Sequence, residues 1–170
     1  MDNTGGARRT AKYNGELVVF LIGMRINKPW KIHKWLPAVL AFRRILQELD
    51  TGPECGFLGH NGYSGRMMVQ YWQSFDCLEA YARNQTLGHW PAWIAFNHRM
   101  KSGRGDVGVW HETYLIAPGR YEAIYIDMPE FGLGKVGETV SAEGNRGSAR
   151  HRLRTNSNCE QSEPEADNVA

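Results

Sequence analysis

The order of the predicted secondary-structure elements indicates an α+β fold of ferredoxin-like topology. Extended runs and amphipathic patterns follow one another as βαββαβ, which is the split βαβ arrangement. All six tryptophans and all six phenylalanines lie between Phe20 and Phe131, which confines the core to the middle of the chain. The predicted strands carry apolar residues on both alternations, so both faces of the sheet need cover. We therefore predict a sheet-to-sheet homodimer, in which helices cover one face of the sheet and a second copy of the chain covers the other.

The first half of this order follows from two apolar patterns and one hairpin. Residues 16–26 are a β-branched and aliphatic run that ends before Asn-Lys-Pro, as in a buried strand. Residues 29–50 repeat apolar side chains at i, i+3, i+4 and i+7, which is typical of an amphipathic helix. Residues 56–60 and 66–73 are extended runs joined by Asn-Gly-Tyr-Ser-Gly, which predicts a β-hairpin.

The second half is predicted from helix starts and a final strand. Ser74 offers an N-cap for one helix, and Pro91 is placed to open another. Residues 107–116 are rich in β-branched and aromatic residues, and residues 121–128 form an extended continuation after Ala-Pro-Gly. The helices that begin near Ser74 and Pro91 therefore precede the last strand, which residues 107–116 form and residues 121–128 continue.

The two ends of the chain differ in composition from its middle. Residues 1–14 are Gly-rich and polar, and residues 136–170 contain almost no aromatic or branched apolar side chains. Such segments cannot bury enough apolar surface to offset the entropy of the chain. We predict one folded domain over residues 15–135, with a disordered N-terminus and a disordered charged tail.

Composition limits the class of protein and its partners. The chain has 170 residues, 42% of them apolar, enough for one core and too few for two ordinary domains. A net charge of +2 argues against nucleic acid as a partner. No apolar run approaches the roughly 20 residues of a membrane span, and no signal peptide is evident. Three scattered cysteines without CxxC spacing fit reduced thiols, so we expect a cytoplasmic protein.

Motif searches exclude several enzyme classes. The sequence contains no GxxxxGK[ST], no GxGxxG after a strand, no GxSxG and no HExxH, which removes common nucleotide-binding, hydrolase and metalloprotease sites. Histidine, tryptophan and arginine side chains in the core elements remain as the candidate functional groups.

The densest polar cluster is the run from Trp110 to Tyr114 in the last predicted strand. Strand alternation places Trp110, Glu112 and Tyr114 on one face and His111 on the other. His111 could be a general base, a haem ligand or a structural histidine. Glu112 could pair with an arginine or act as a base. We expect Glu112 to face the helices, because a carboxylate is tolerated better beside a wettable pocket than in a dry interface.

Two further segments carry histidine and tryptophan. His89 and Trp93 are four residues apart near a predicted helix start, as are Trp93 and Asn97, so these side chains share a face if the turn before Pro91 is helical. With Trp90 beside them, they would give a proton acceptor between indole walls or a capping histidine over core tryptophans. The first helix begins with a basic and aromatic patch that fits an anionic or flat ligand, although a solvated helix face is the favoured interpretation. Its members are Lys28, Trp30, Lys31, His33 and Lys34.

Several stretches carry a resemblance to a known family. They are residues 23–30, 68–75, 106–114, 121–125 and 128–134. These strings resemble the fumagillin-cluster monooxygenase-like family of the dimeric α+β barrel proteins, which are related to antibiotic-biosynthesis monooxygenases. The resemblance implies a ferredoxin-like homodimer active in secondary metabolism, which oxidises small apolar molecules with O₂ and needs no bound metal or flavin. The same superfamily includes haem proteins such as aldoxime dehydratases and dye peroxidases.

We interpret the chain as a cofactor-independent monooxygenase, with two alternatives. The candidate catalytic groups are His89, His111 and Glu112. The candidate substrate-binding groups are Arg25, Arg66, Trp72, Trp90, Trp93, Trp110 and Tyr114, among which Arg25 or Arg66 would hold an anion or pair with Glu112. The first alternative is a haem protein with a histidine as axial ligand. The second is a non-catalytic protein that binds an apolar ligand.

Overall fold

The computed structural model of the protein describes residues 7–51, 56–63, 67–87 and 105–158, together with Trp90, Pro91, Ile94 and His98. The chain divides into two compact units. The central unit is Leu17–Leu115, and the terminal unit joins Met1–Glu16 to Ile116–Ala170. No described helix combines the length and the apolar composition needed to cross a membrane.

The described elements are seven strands, four α-helices and one 3₁₀ turn. They are β1 Arg8–Lys12, β2 Leu17–Ile26, α1 Ile32–Asp50, β3 Phe57–Tyr63, β4 Met67–Trp72, α2 Phe75–Arg83, β5 Val107–Ile116, β6 Tyr125–Ile126, α3 Leu133–Val136, β7 Glu138–Ser141, a 3₁₀ turn at Gly144–Arg146, and α4 Ala149–Asn158.

The central unit has the predicted ferredoxin-like topology. Its sheet has the order β3-β4-β2-β5. Strand β2 runs antiparallel to β4, with Val18 opposite Trp72 and Gly23 opposite Met67. The predicted hairpin is present as antiparallel β3 and β4. The predicted N-cap is also present, because the Ser74 hydroxyl accepts a hydrogen bond from the backbone N–H of Cys77 at 3.2 Å.

The core of this unit lies on one side of the sheet, which we call the helix-facing side. Apolar residues of β2, β4, α1 and α2 form one buried cluster: Val18, Phe42, Leu49, Met68, Trp72, Leu78 and Tyr81. The fully buried Trp72 lies at its centre, with ring centroids 5.0 Å from Phe57 and 5.2 Å from Tyr81. The Tyr81 hydroxyl donates to Glu48 at 3.0 Å, which satisfies a phenol at the edge of the core.

In the terminal unit the structure differs from the predicted disorder. Strand β1 pairs with β6 on one side and with β7 on the other, both antiparallel. Tyrosine hydroxyls hold the connecting loops: Tyr121 donates to the carbonyl of Tyr13 at 2.7 Å, and Tyr125 accepts from the N–H of Gly134 at 2.8 Å. Residues 1–6 and 159–170 lie outside the described residues. The described parts of both ends are therefore ordered by contacts with each other and with residues 116–134.

The charged tail is ordered by one buried arginine of α4. The Arg152 guanidinium donates to Glu122 at 2.9 Å and to the carbonyl of Arg146 at 3.0 Å. One helical turn later, the Asn156 side chain donates to the carbonyl of Tyr121 at 3.2 Å. Counting apolar residues misses this arrangement, because here a paired cation and backbone carbonyls replace an apolar anchor.

Substitution of Arg152 tests whether α4 is part of the folded structure. We expect Arg152→Ala to lower the free energy of unfolding by about 2–4 kcal/mol, because Glu122 and a backbone carbonyl lose their donor. The matched control is Arg150→Ala at an exposed position of the same helix, which should change stability by less than about 0.5 kcal/mol. Urea denaturation measures both. Equal stability of the two variants would show that α4 is not docked.

Candidate functional site

A row of four side chains crosses the helix-facing side of the central sheet. His60 of β3 is opposite Gln70 of β4, and Gln70 is opposite Phe20 of β2. His111 of β5 completes the row, because its ring centroid lies 5.7 Å from that of Phe20. Phe20 also packs against the buried cluster. A histidine therefore lies at each end of the row, His60 on one edge strand and His111 on the other.

The two histidines of this row have different surroundings. Nε2 of His60 lies 2.9 Å from Oδ1 of Asp50, and Nδ1 is buried with no partner among the described residues. This ring is held between strand and helix. His111 is exposed and makes no hydrogen bond with any residue that the structure describes. No described residue engages either ring nitrogen, so the unprotonated nitrogen of the neutral ring can accept a proton or bind a ligand.

Gln70 and Trp72 use their polar groups within the core. The Trp72 indole N–H donates to Oε1 of Gln70 at 3.0 Å, and Nε2 of Gln70 lies 3.4 Å from the sulfur of Met68. All three side chains are buried. Trp72, a candidate substrate-binding residue in the sequence, is therefore part of the packed centre of this unit.

The opposite side of the sheet, which we call the outer face, holds Trp110, Glu112 and Tyr114. A Cβ at position 23 would lie 2.7 Å from Nε1 of Trp110, so the indole covers Gly23. The Tyr114 hydroxyl donates to Oε2 of Glu112 at 2.6 Å. Arg25 shares this face, since a Cβ on Gly108 would lie 3.9 Å from the Cβ of Arg25.

This arrangement corrects the expectation that Glu112 faces the helices. His111 is on the helix-facing side beside Phe20, and Trp110 is on the outer face over Gly23. Strand alternation places His111 and Glu112 on opposite faces, as predicted. Which of the two faces the helices depends on which face of the sheet has room for the Trp110 indole. The missing side chain of Gly23 leaves that room on the outer face.

Glu112 has a phenol as its partner, where the sequence suggested an arginine. The hydrogen bond from Tyr114 to the Glu112 carboxylate, together with the charge of that carboxylate, raises the pKa of Tyr114. A phenol with a raised pKa stays protonated and keeps donating. Glu112 and Tyr114 are both exposed, so the pair lies on the free surface of the unit.

Three candidate residues, His89, Arg66 and Trp93, lie outside the described residues. Trp90 is described and is half-buried at a helical position, with its backbone N–H donating to the carbonyl of Leu87 at 3.1 Å. Of the candidate catalytic groups that the structure describes, only His111 is therefore on the helix-facing side.

The basic patch at the start of α1 pairs with a buried carboxylate, Asp106, whose role the sequence did not predict. We call this pairing the Asp106 anchor. Asp106 is buried and accepts from Lys28 at 2.9 Å and from Lys31 at 3.2 Å. Its backbone carbonyl also accepts from the N–H of Asn27 at 3.0 Å. These bonds join the end of β2 to the start of β5 and so position the strand that carries His111. The only signal in the sequence was a single acidic residue directly before the strand.

The pH dependence of stability tests this anchor. Hydrogen bonds from Lys28 and Lys31 lower the pKa of Asp106 below its ordinary value of 3.8. A carboxyl with a lowered pKa stabilises the fold above that ordinary value and loses this contribution as pH falls through its folded-state pKa. We expect Asp106→Asn to lower the urea midpoint at pH 7 and to have little effect near pH 2. The control Glu16→Gln, at an exposed position, should match the wild type at both pH values.

A metal centre is not evident at the site. Among the described residues, no group of three His, Cys, Asp or Glu side chains is arranged to hold a metal ion. Haem needs only one protein ligand, and His111 has a ring nitrogen available for that role.

Comparison with solved structures shows the fold. The chain is similar to a crystal structure of aldoxime dehydratase, with a TM-score of 0.56 and 18% identity over 88% of this chain and 43% of that one. It is also similar to aldoxime dehydratase in complex with butyraldoxime, with a TM-score of 0.58 and 17% identity over 90% of this chain and 43% of that one. The chain thus spans less than half the length of these proteins. The likeness confirms the ferredoxin-like α+β class of fold.

Comparison with protein families shows the relationship more directly. A search of curated proteins gives no match to the chain. The family described as monooxygenase af470-like matches residues 17–133, which is more than half of the chain and confirms the resemblance found in the sequence. The chain therefore belongs to the monooxygenase af470-like family.

Proposed function

We propose that the protein is a monooxygenase that oxidises a small apolar secondary metabolite with O₂ and uses no resident metal or flavin. The observation that carries this proposal is the imidazole of His111, exposed and free of hydrogen bonds to described residues, beside Phe20 on the helix-facing side of the sheet. Membership of the monooxygenase af470-like family supports the proposed reaction class. Among the described candidates, His111 has the chemistry and the position of a general base.

The substrate supplies the electrons in this scheme. Its reacting group is a methylene made acidic by neighbouring carbonyl or aromatic groups. His111 removes one proton, and the carbanion gives one electron to O₂. Combination of the resulting radical with superoxide, followed by protonation, gives a hydroperoxide. Loss of the second C–H proton with cleavage of the O–O bond gives a ketone and water. The sum is R₂CH₂ + O₂ → R₂C=O + H₂O.

The protein contributes a proton acceptor and a local charge. Once protonated, His111 is an imidazolium directly beside the carbanion it has created, so it stabilises that anion without another cation. Phe20 offers an apolar wall for a flat substrate at the same place. Arg25, the described candidate for holding an anion, is on the outer face instead, and the scheme does not need it.

Oxygen consumption and absorbance test the proposal together. Purified protein should be colourless above 300 nm and should consume O₂ when given an anthrone-like compound with an acidic methylene. A metal chelator should not change the rate. No consumption with any such compound, or a rate that disappears with the chelator, would contradict the proposal.

A second candidate is a haem protein, favoured by the likeness to aldoxime dehydratase. The residues fit, because His111 offers one free imidazole nitrogen and Phe20 a flat apolar neighbour. Bound haem would supply iron redox or Lewis-acid chemistry, while the chain would ligate the iron and exclude water. A Soret band in the purified or haem-reconstituted protein that is lost in His111→Ala would favour this candidate over the first.

The outer face supports the proposed homodimer. Trp110 and Tyr114 are exposed there, and Leu21 and Val69 are half-buried on the same side. A second copy would cover these groups through a two-fold contact. Light scattering should give twice the 19.3 kDa mass of the chain, and Tyr114→Lys should shift the protein towards monomer. A wild-type monomer at micromolar concentration would contradict this proposal.

A further inference from the structure

Helix α1 carries an apolar stripe on the side that faces away from the core. Ile32, Leu36 and Leu40 are 55%, 41% and 47% exposed, and Trp30, two residues before the helix begins, is 73% exposed. The three helical residues are spaced i, i+4 and i+8, so they lie on one line about 12 Å long. The buried residues Ala38, Phe42 and Leu49 occupy the opposite side. Four large apolar side chains thus point to solvent together.

Basic residues flank this stripe, and acidic residues do not. Residues 27–47 contain five Lys or Arg and no Asp or Glu. Lys28 and Lys31 are occupied by Asp106. Lys34, Arg43 and Arg44 are exposed, and none of them forms an ion pair within the described part of the chain. The stripe therefore lies in a field of positive charge.

The acids of α1 lie at the end of the helix that is far from the stripe. Glu48 accepts from Tyr81 at 3.0 Å, and Asp50 lies 2.9 Å from His60. Glu48 is thus bonded to a residue of α2 and Asp50 to a residue of β3, and both acids lie more than one helical turn beyond Leu40. The exposed surface from Trp30 to Arg44 is apolar and basic throughout.

We propose that this face of α1 docks on the surface of an anionic membrane. An amphipathic helix with Trp and Leu on one face and Lys or Arg beside them is the arrangement that lies in a lipid interface. Tryptophan prefers the headgroup level, and each basic residue near anionic lipid adds attraction. The helix lies on the surface and does not span the bilayer, in agreement with its mixed composition.

The positive charge of this face also favours an anionic membrane over a second copy of the chain as its partner. A two-fold contact centred on the stripe would bring the basic residues of the two copies together, and residues 27–47 contain no Asp or Glu to compensate the repulsion. Anionic lipid headgroups neutralise the same charges. The inference is independent of the reaction, although a membrane surface would bring an apolar substrate close to the protein.

Vesicle co-sedimentation of the full chain tests the proposal. The probes are vesicles of phosphatidylcholine with 30% phosphatidylserine and vesicles of phosphatidylcholine alone. We expect binding to the anionic vesicles, weakened by 0.5 M NaCl. The double variant R43Q/R44Q should bind about 25-fold more weakly, since each basic residue contributes about fivefold. The control R150Q/R154Q removes the same charge from exposed positions of α4 and should bind within about threefold of the wild type.

Fluorescence quenching locates the contact. Brominated lipids in the anionic vesicles should quench tryptophan emission, and Trp30→Phe should remove most of that quenching. The variant I32Q/L36Q should weaken binding with unchanged circular dichroism. The proposal is overturned if R43Q/R44Q and the control bind equally, if no anionic vesicle binds the wild type, or if I32Q/L36Q changes only the oligomeric state. Binding of an acidic helical peptide without vesicle binding would also overturn it.

Discussion

Replacement of His111 by alanine is expected to reduce turnover by about 10²- to 10⁴-fold while the protein stays folded. In the proposed function this imidazole is the proton acceptor, and among the described residues its ring contacts that of Phe20. Its side chain is exposed, so its removal leaves no buried group without a partner. Steady-state oxygen consumption gives kcat, and circular dichroism confirms the fold.

The neighbouring residue provides the control for this experiment. Glu112→Gln keeps the size of the side chain, and its oxygen can still accept from Tyr114 on the outer face. We expect turnover within about threefold of the wild type. If Glu112→Gln abolished turnover and His111→Ala did not, the assignment of the two faces to catalysis and to assembly would be reversed.

Replacement of Trp72 by alanine is expected to have the largest effect on stability, about 3–5 kcal/mol. Trp72 is fully buried between Phe57 and Tyr81, and its N–H satisfies Oε1 of Gln70. The substitution removes a large apolar side chain and leaves the Gln70 oxygen without its donor. The urea-denaturation midpoint measures the loss.

Two further tryptophan variants separate packing from hydrogen bonding. Trp72→Phe keeps a ring in the core and loses the N–H, so it should cost less than the alanine variant. Trp110→Ala, on the exposed outer face, should cost under about 2 kcal/mol when it is measured in the Tyr114→Lys background, in which no second copy covers the indole. Similar losses for Trp72→Ala and Trp110→Ala would mean that the core is not centred on Trp72.

The fold of the central unit could be predicted because each of its elements has a local signal. The apolar period of α1, the Ser74 cap and the glycine-rich hairpin each act within a few residues. The terminal unit could not be predicted in the same way. Its β1 strand pairs with β6 and β7, more than 100 residues away in sequence, and its anchors are tyrosine hydroxyls and the Arg152 guanidinium.

Of the four side chains in the row on the helix-facing side, only His111 was a candidate from the sequence, and the face on which it lies could not be predicted. Strand alternation separated His111 from Glu112, and this separation is present in the structure. Which of the two faces the helices depends on the close approach of Trp110 to Gly23, a contact between strands that no local pattern specifies. The role of Asp106 was missed for the same reason, because its lysine partners precede it by more than 70 residues.

Isotope labelling tests the central claim most directly. Protein freed of metals with chelator and shown by absorbance to lack haem and flavin is supplied with ¹⁸O₂ and an anthrone-like substrate. The proposed reaction predicts one ¹⁸O atom in the ketone and the other in water, with both products lost in His111→Ala. A ketone without ¹⁸O, or turnover that returns only when haem is added, would contradict a cofactor-independent monooxygenase acting through His111.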